Sequence, residues 1–152
     1  MISRKKVGKK VGAQTQVAAL CYRRGSGKSL EILLITSRNT RRWIPPKGWP
    51  IDGLTPDQAA AQEALEEAGA KGRVHPVSLG RYDYLHDPEQ DGNPPVEAYI
   101  FPLEVKKFAE NFKEKGQRKV KWFSPKKAAM MVREPKLRKI IRNFDPSALA
   151  WV

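Results

Sequence analysis

The stretch Gln62-Glu63-Ala64-Leu65-Glu66-Glu67-Ala68-Gly69 constrains this chain more than any other. Its residues favour a helix, and three carboxylates crowd between Glu63 and Glu67. At 3.6 residues per turn, Glu63 lies about 300° from Glu66 and about 400° from Glu67, so all three share one face. Like charges at this spacing repel and weaken an isolated helix, so something cationic has to offset them. Hard oxygen ligands gathered in this way suit Mg²⁺ or Mn²⁺, and a divalent ion suits phosphate chemistry.

The helix has a clear start and stop. Thr55 is the expected N-cap, Pro56 fits the first helical position and Gln58 completes a capping box. Asp57 sits in the first turn, where the helix dipole favours an acid. Gly69 is the natural C-terminal stop. Ala61, Ala64, Leu65 and Ala68 follow the i, i+3, i+4, i+7 pattern and predict a buried stripe pointing away from the glutamates. Side chains this small let a helix sit close to a sheet.

An acidic helix face usually just meets water. The segment before it changes the reading. Trp43-Ile44-Pro45-Pro46-Lys47-Gly48-Trp49-Pro50-Ile51-Asp52-Gly53 is rich in Pro and Gly and delivers Lys47 and the Gly48 backbone next to the acids. Taken together, Gly48 to Ala70 resembles the signature of the Nudix hydrolases. That signature runs Gly, five residues, Glu, seven residues, Arg-Glu, an aliphatic residue, any residue, Glu-Glu, any residue, Gly and a final aliphatic residue. Gly48, Glu63, Glu66, Glu67 and Gly69 fall in register, and Ala64 and Ala70 occupy the aliphatic slots.

Two positions depart from the signature. Leu54 stands where the family has its first Glu, and Gln62 where it has Arg. In the family those residues can pair, so losing both leaves no unpaired charge. Gln62 is expected to orient a neighbouring glutamate by hydrogen bonding instead. The resemblance implies an α/β fold, an α/β/α sandwich with a mixed central sheet and a catalytic loop-helix-loop. It implies that Glu63, Glu66 and Glu67 hold Mg²⁺ or Mn²⁺ beside the Gly48 backbone, with Glu66 or Glu67 as general base. Lys47 would sit near the substrate phosphates. Glu97, on a later strand, would add a ligand or base, although an ordinary exposed strand residue is the simpler reading.

Residues 1–14 read as a flexible basic arm and 15–152 as one domain. Lys plus Arg total 29 against 16 Asp plus Glu, a net +13, which biases the chain toward polyanions. The lone Cys21 excludes an internal disulfide and fits a buried core position in a reducing, cytoplasmic setting. The apolar run Val17 to Cys21 is too short to span a membrane. A monomer or a homodimer is expected.

Gln16 to Tyr22 and Leu30 to Thr36 read as strands joined by a turn at Gly25-Ser26-Gly27, the second one covered on both faces. Val74 to Tyr84 predicts one or two strands, and His86 to Pro95 a polar loop. Val96 to Val105 predicts a strand whose Pro102 marks an edge or a bulge. Lys119 to Phe123 is a short strand. Ser124-Pro125 caps a helix through Val132, and Leu137 to Phe144 predicts a last helix.

Arg38, Arg41 and Arg42 lie ahead of the signature, and Lys113, Lys115, Arg118, Lys119 and Lys121 precede Trp122-Phe123. Gly116-Gln117-Arg118-Lys119-Val120-Lys121-Trp122-Phe123 resembles the Gly-Arg-Lys-x-x-Trp-Phe segment of diphosphoinositol polyphosphate phosphohydrolases, with one residue inserted. Arg42-Trp43-Ile44-Pro45-Pro46 resembles the strand that opens their signature. That branch also cleaves diadenosine polyphosphates. The likeness implies a phosphate-rich small-molecule substrate held by Arg41, Arg42, Lys47, Arg118 and Lys119. Tyr82, Tyr84 and Trp49 can each stack a base or simply pack. Two alternatives are a weakened Nudix module that only binds polyanions, and an RNA 5′-pyrophosphohydrolase. For the second, nucleic acid recognition has nothing beyond bulk charge behind it.

Overall fold

A computed structural model describes residues 14–25, 27, 29–84 and 96–151. The basic arm through residue 13, Ser26 of the first turn and the His86 to Pro95 loop lie outside the described residues. The strands are β1 (Gln14–Arg24), β2 (Leu30–Thr36), β3 (Trp43–Ile44), β4 (Lys47–Gly48), β5 (Ala70–Val74), β6 (Gly80–Tyr84), β7 (Val96–Phe108) and β8 (Val120–Phe123). The helices are α1 (Pro56–Ala68), α2 (Pro125–Met131) and α3 (Pro135–Asn143), with a 3₁₀ turn at Pro146–Ala148.

All eight strands join one mixed sheet, in which β1 and β7 run parallel and the other pairs are antiparallel. Residues of β1 and β2 alternate between two buried faces. Val17, Ala19, Cys21, Leu33 and Ile35 meet α1, whereas Ala18, Leu20, Tyr22, Ile32 and Leu34 meet α2 and α3. Burial on both sides explains why these strands are apolar throughout rather than alternating. The result is the expected α/β/α sandwich.

The site depends on one irregularity in this sheet. β1 and β2 pair only at Tyr22–Arg24 with Leu30–Ile32 and then diverge. β3 pairs with β2 at Ile35 and Thr36, and β4 pairs with β1 at Val17 and Ala18. The prolines between β3 and β4 therefore form a wedge in the split, fixed by the Ala19 N–H to the Pro46 carbonyl at 3.0 Å. β8 covers the other edge of β2.

α1 begins and ends as expected. Its N-cap Thr55 has extended backbone, and the Thr55 N–H donates to Gln58 Oε1 at 3.1 Å. Gly69 closes it with φ +71°, its N–H meeting the Ala64 and Leu65 carbonyls. The buried stripe, however, is rotated from the predicted one. Ala59, Ala60, Ala64, Glu67 and Ala68 are buried, while Ala61 and Leu65 are half-buried. Alanine is compatible with either face, so composition could not fix the rotation. The wedge fixes it by placing a backbone donor where Glu67 must turn inward.

Pro102 also departs from expectation. β7 is central, flanked by β1 on one side and by β5 and β6 on the other. The Pro102 carbonyl accepts from the His75 N–H at 2.8 Å, at the handover between β5 and β6. In a strand a residue's N and C=O point the same way, so the N–H that proline lacks would face that gap. The register shift occurs instead at Lys71 and Gly72, opposite Lys107 and Val105. β5 also starts earlier than predicted, because Lys71-Gly72-Arg73 is exposed and carries no apolar alternation.

Gly69 offers a test of this packing. A Cβ there would lie 2.5 Å from Phe112, on a backbone at φ +71°, whereas Gly53 at φ +87° has nothing within 4 Å. Gly53→Ala is expected to lose about 1 kcal/mol, and Gly69→Ala about 1–2 kcal/mol more, in urea unfolding. Equal losses would mean that Phe112 does not pack against the helix end.

Candidate functional site

The wedge brings β4 against the inner edge of α1. The Lys47 backbone N–H donates to Glu67 Oε1 at 3.1 Å, and Glu67 is 6% exposed. A Cβ built at Gly48 would stand 1.7 Å from Glu63 Oε1. A side chain at 48 would therefore displace the Glu63 carboxylate from its place against the strand. Glu66 lies on the outer side of the cluster, where Gln62 Nε2 donates to its Oε2 at 2.8 Å and Lys113 Nζ approaches its Oε1 at 3.8 Å. Gln62 thus makes the contact expected of it.

A fourth carboxylate joins these three. Glu114 is carried in by the segment after β7, where its N–H donates to the Glu66 carbonyl at 2.9 Å. Sequence reading missed it, since it sits between Lys113 and Lys115 in a run that looks purely basic. Arg118 is the central counter-ion. Its Nε donates to Glu114 Oε1 at 2.7 Å, its Nη1 to the Thr36 carbonyl at 3.1 Å, and its Nη2 lies 4.0 Å from Glu67 Oε2.

The acids outweigh this partner. Burial, and then Glu66 and Glu114, push the Glu63 carboxyl up to about 7 despite Lys113 and Arg118. Burial is also the main cause that pushes Glu67 up to about 8, with Glu63 and Glu114 adding and Arg118 and the Lys47 N–H opposing. Among the described residues, no three acidic, histidine or cysteine groups already converge closely enough to grip an ion. The donor set nevertheless fits a hard divalent cation. Glu63 and Glu67, pushed up first by burial and then by neighbouring acids, around a glycine that leaves room for a carboxylate, are what such an ion would neutralise.

A cleft of about 240 Å³ opens beside Glu67. Arg42, Lys47 and Arg118 line it, together with Arg38, Arg133 and Tyr84. Lys47 Nζ stands 3.6 Å from the Tyr84 ring centroid and donates to Gln16 Oε1 at 3.3 Å. Burial, ahead of its other influences, lowers the Lys47 pKa. Arg41, at φ +58°, and Lys119 are exposed and are not among the lining residues. Lys119 contributes its backbone N–H to Thr36 Oγ1 at 2.9 Å. Of the three aromatics, Tyr84 lines the cleft, Tyr82 is core and Trp49 is 46% exposed. Glu97 pairs with Arg81 at 3.1 Å. Arg133 and Glu134 had no sequence signal, because the turn between α2 and α3 reaches the cleft, through Arg133, only in the tertiary fold.

Residues 14–145 match the NUDIX domain model. The chain is 36% identical over 115 residues to mouse diphosphoinositol polyphosphate phosphohydrolase 3-alpha, covering 74% of this chain and 65% of that protein. It is 30% identical over 118 residues to Nudix hydrolase 12, mitochondrial, of Arabidopsis thaliana, covering 76% and 58%. The matches thus span about three fifths of these relatives' length. The fold superposes on the crystal structure of a C. elegans Ap4A hydrolase with TM-score 0.58 and 23% identity, covering 84% of this chain and 92% of that one. The matched domain spans the split sheet, the glycine-backed acid helix and the basic cleft together, and the chain belongs to the Nudix family.

Proposed function

We propose that this chain is a metal-dependent hydrolase of phosphoanhydride bonds in a phosphate-rich small molecule. A dinucleoside polyphosphate and an inositol pyrophosphate are the substrates favoured by the basic cleft and by the names of its relatives. The observation that carries the reading is the Gly48 cradle, where a strand without a side chain makes room for one of three crowded glutamates. Glu63, Glu66 and Glu67 would hold Mg²⁺ or Mn²⁺, beside the Gly48 backbone. When bound, the cation supplies charge neutralisation and Lewis-acid polarisation of phosphate oxygens.

The chain's own residues divide the remaining work. Arg42, Lys47 and Arg118 would meet the substrate's phosphate charge, and Arg41 and Lys119 are proposed only for outer phosphates of a long substrate. Glu66 or Glu67 would take the proton from the attacking water. The water oxygen forms the new P–O bond, the anhydride P–O bond breaks, and its electron pair leaves with the departing phosphate. The cleft walls fix the geometry, and preorganised charge supplies most of the acceleration. No described helix is long and apolar enough to cross a membrane. A reducing, cytoplasmic setting is proposed from the single cysteine of the sequence, Cys21, which is free and buried.

The reading is tested by product release from diadenosine polyphosphates, an inositol pyrophosphate and 5′-triphosphorylated RNA with Mg²⁺ or Mn²⁺. Glu66→Gln and Glu67→Gln are each expected to lower kcat by about a hundredfold or more. Metal-independent binding without turnover would instead favour the polyanion-binding module, and a preference for the RNA would move the substrate assignment. Gly48→Ala should weaken Mn²⁺ binding by about tenfold in calorimetric titration, because its Cβ collides with Glu63. Unchanged affinity would remove Glu63 from the ligand set.

Protonation gives an independent check. Glu63 and Glu67 keep their protons to about 7 and about 8 in the metal-free fold, against an ordinary 4.5. The folded chain thus binds more protons than the unfolded one in that window, and stability contributed below pH 4.5 is lost as pH rises through it. Between about pH 6 and pH 8.5, metal-free protein should lose on the order of 1 kcal/mol more than Glu67→Gln, or about 3 °C in Tm. Saturating Mg²⁺ should recover the loss. Identical pH slopes in calorimetry for the two proteins would show that Glu67 titrates as an ordinary carboxylate.

A further inference from the structure

Glu134 is a buried charge that the chemistry above does not use. It stands at the N-cap of α3 with 1% exposure. Both of its oxygens accept from Arg42, Oε2 from Nη2 at 2.8 Å and Oε1 from Nη1 at 3.3 Å. The Arg42 side chain is only 14% exposed, and it lines the cleft just before the wedge. Its guanidinium lies 5.1 Å from the Tyr84 ring centroid, on the same ring that Lys47 approaches at 3.6 Å.

A carboxylate this buried is costly to hold in place unless it is paired with good geometry. Its two-point contact fixes the plane of the guanidinium, which a single hydrogen bond would leave free to turn. α3 packs on the face of the sheet opposite α1, so the pair links the far layer to the cleft wall. We propose that Glu134 is a positioning residue, which holds Arg42 against Tyr84 and beside Lys47 so that the cleft meets substrate phosphates with its donors already aimed. This rests on the phosphate-cleft reading above. The acids proposed to hold the cation lie on α1, whereas the pair joins α3 to the entry of the wedge. Its effect therefore falls on substrate binding rather than on bond cleavage.

Glu134→Gln keeps the side-chain volume and removes the charge. Steady-state kinetics on the best substrate, well below the melting temperature, should show KM raised about tenfold with kcat within about twofold. Titration with inorganic tripolyphosphate should show the same loss of affinity. Glu134→Asp, which keeps the charge but shortens the reach, should fall between the two proteins. Lys136→Gln on α3, which cuts the exposed 3.3 Å pair with Asp83 of β6, should change neither readout. A Glu134→Gln protein that melts lower but keeps wild-type KM and tripolyphosphate affinity would overturn the proposal, since a mere structural brace behaves that way. If Glu134→Gln does not fold, Glu134→Asp decides by the same criterion, with raised KM supporting the proposal and unchanged KM refuting it. If wild-type protein binds tripolyphosphate but turns over nothing, only the hydrolase reading fails, and the titration still decides on Glu134.

Discussion

The contact between the β4 backbone and the inner edge of α1 governs the rest of the structure. The Lys47 N–H reaches Glu67, and Gly48 leaves space for Glu63. For this to happen the strand must leave the regular sheet and the helix must come close to it. The divergence of β1 and β2 provides the first condition, and the prolines of the wedge hold it open. The alanines at 59, 60, 64 and 68 provide the second, because a larger side chain at any of them would lift the helix off the sheet. The acid site is therefore fixed by core packing, and its geometry is as rigid as the core itself.

Within that frame the charges are deliberately out of balance. Of four clustered carboxylates, Glu63, Glu67 and Glu114 have Arg118 as their buried counter-ion, while Glu66 meets Lys113. Burial holds Glu67 above the ordinary carboxylate range even with that arginine nearby, so Arg118 compensates the cluster only in part. The cleft that Glu67 borders is otherwise lined by several cations, within a chain of net charge +13. A phosphate group set between two such surfaces would meet basic residues on one side. On the other it would meet acids that tolerate it only through a shared cation. Acids and basic residues thus face one cleft, which accords with the proposed pairing of a cation with a phosphate.

The sequence made the α1 caps, the acid spacing and the doubly covered β2 legible, because each is a local consequence of residue type. Thr55, Gln58 and Gly69 act through their own neighbours, and Leu30 to Ile35 announces burial by having almost no polar side chain. What stayed hidden depends on partners distant in the chain. Alanines cannot report which of their faces is buried, so the sequence pattern runs the stripe through Ala61 and Leu65, whereas the fold buries Ala60 and Glu67. Pro102 reads as an edge or a bulge because the handover from β5 to β6 leaves no trace in local sequence. Glu114 and Glu134 each sit among lysines or beside an arginine, and only the tertiary fold shows that one joins the acids and the other braces Arg42.

Leu54 and Gln62 bear on how the acid face is kept in order. In other members of the family, by the resemblance, an acid and an arginine occupy these positions and can neutralise each other. Here Leu54 packs half-buried against the α1-side core, in a shallow groove shared with Ala61, Leu65 and Val74. An ionised side chain at 54 would have to be desolvated against those apolar groups, so leucine removes a cost once its partner is no longer charged. Gln62 keeps the hydrogen bond to Glu66 while withdrawing a positive charge from its surroundings. Orientation and neutralisation, which an arginine would supply together, are thereby separated. The amide orients Glu66, and the charge compensation is left to Lys113, Arg118 and whatever cation enters the site. The substitutions preserve the order of the acid face while leaving it with one cation fewer, and so accord better with the proposed metal-dependent site than with a disused one.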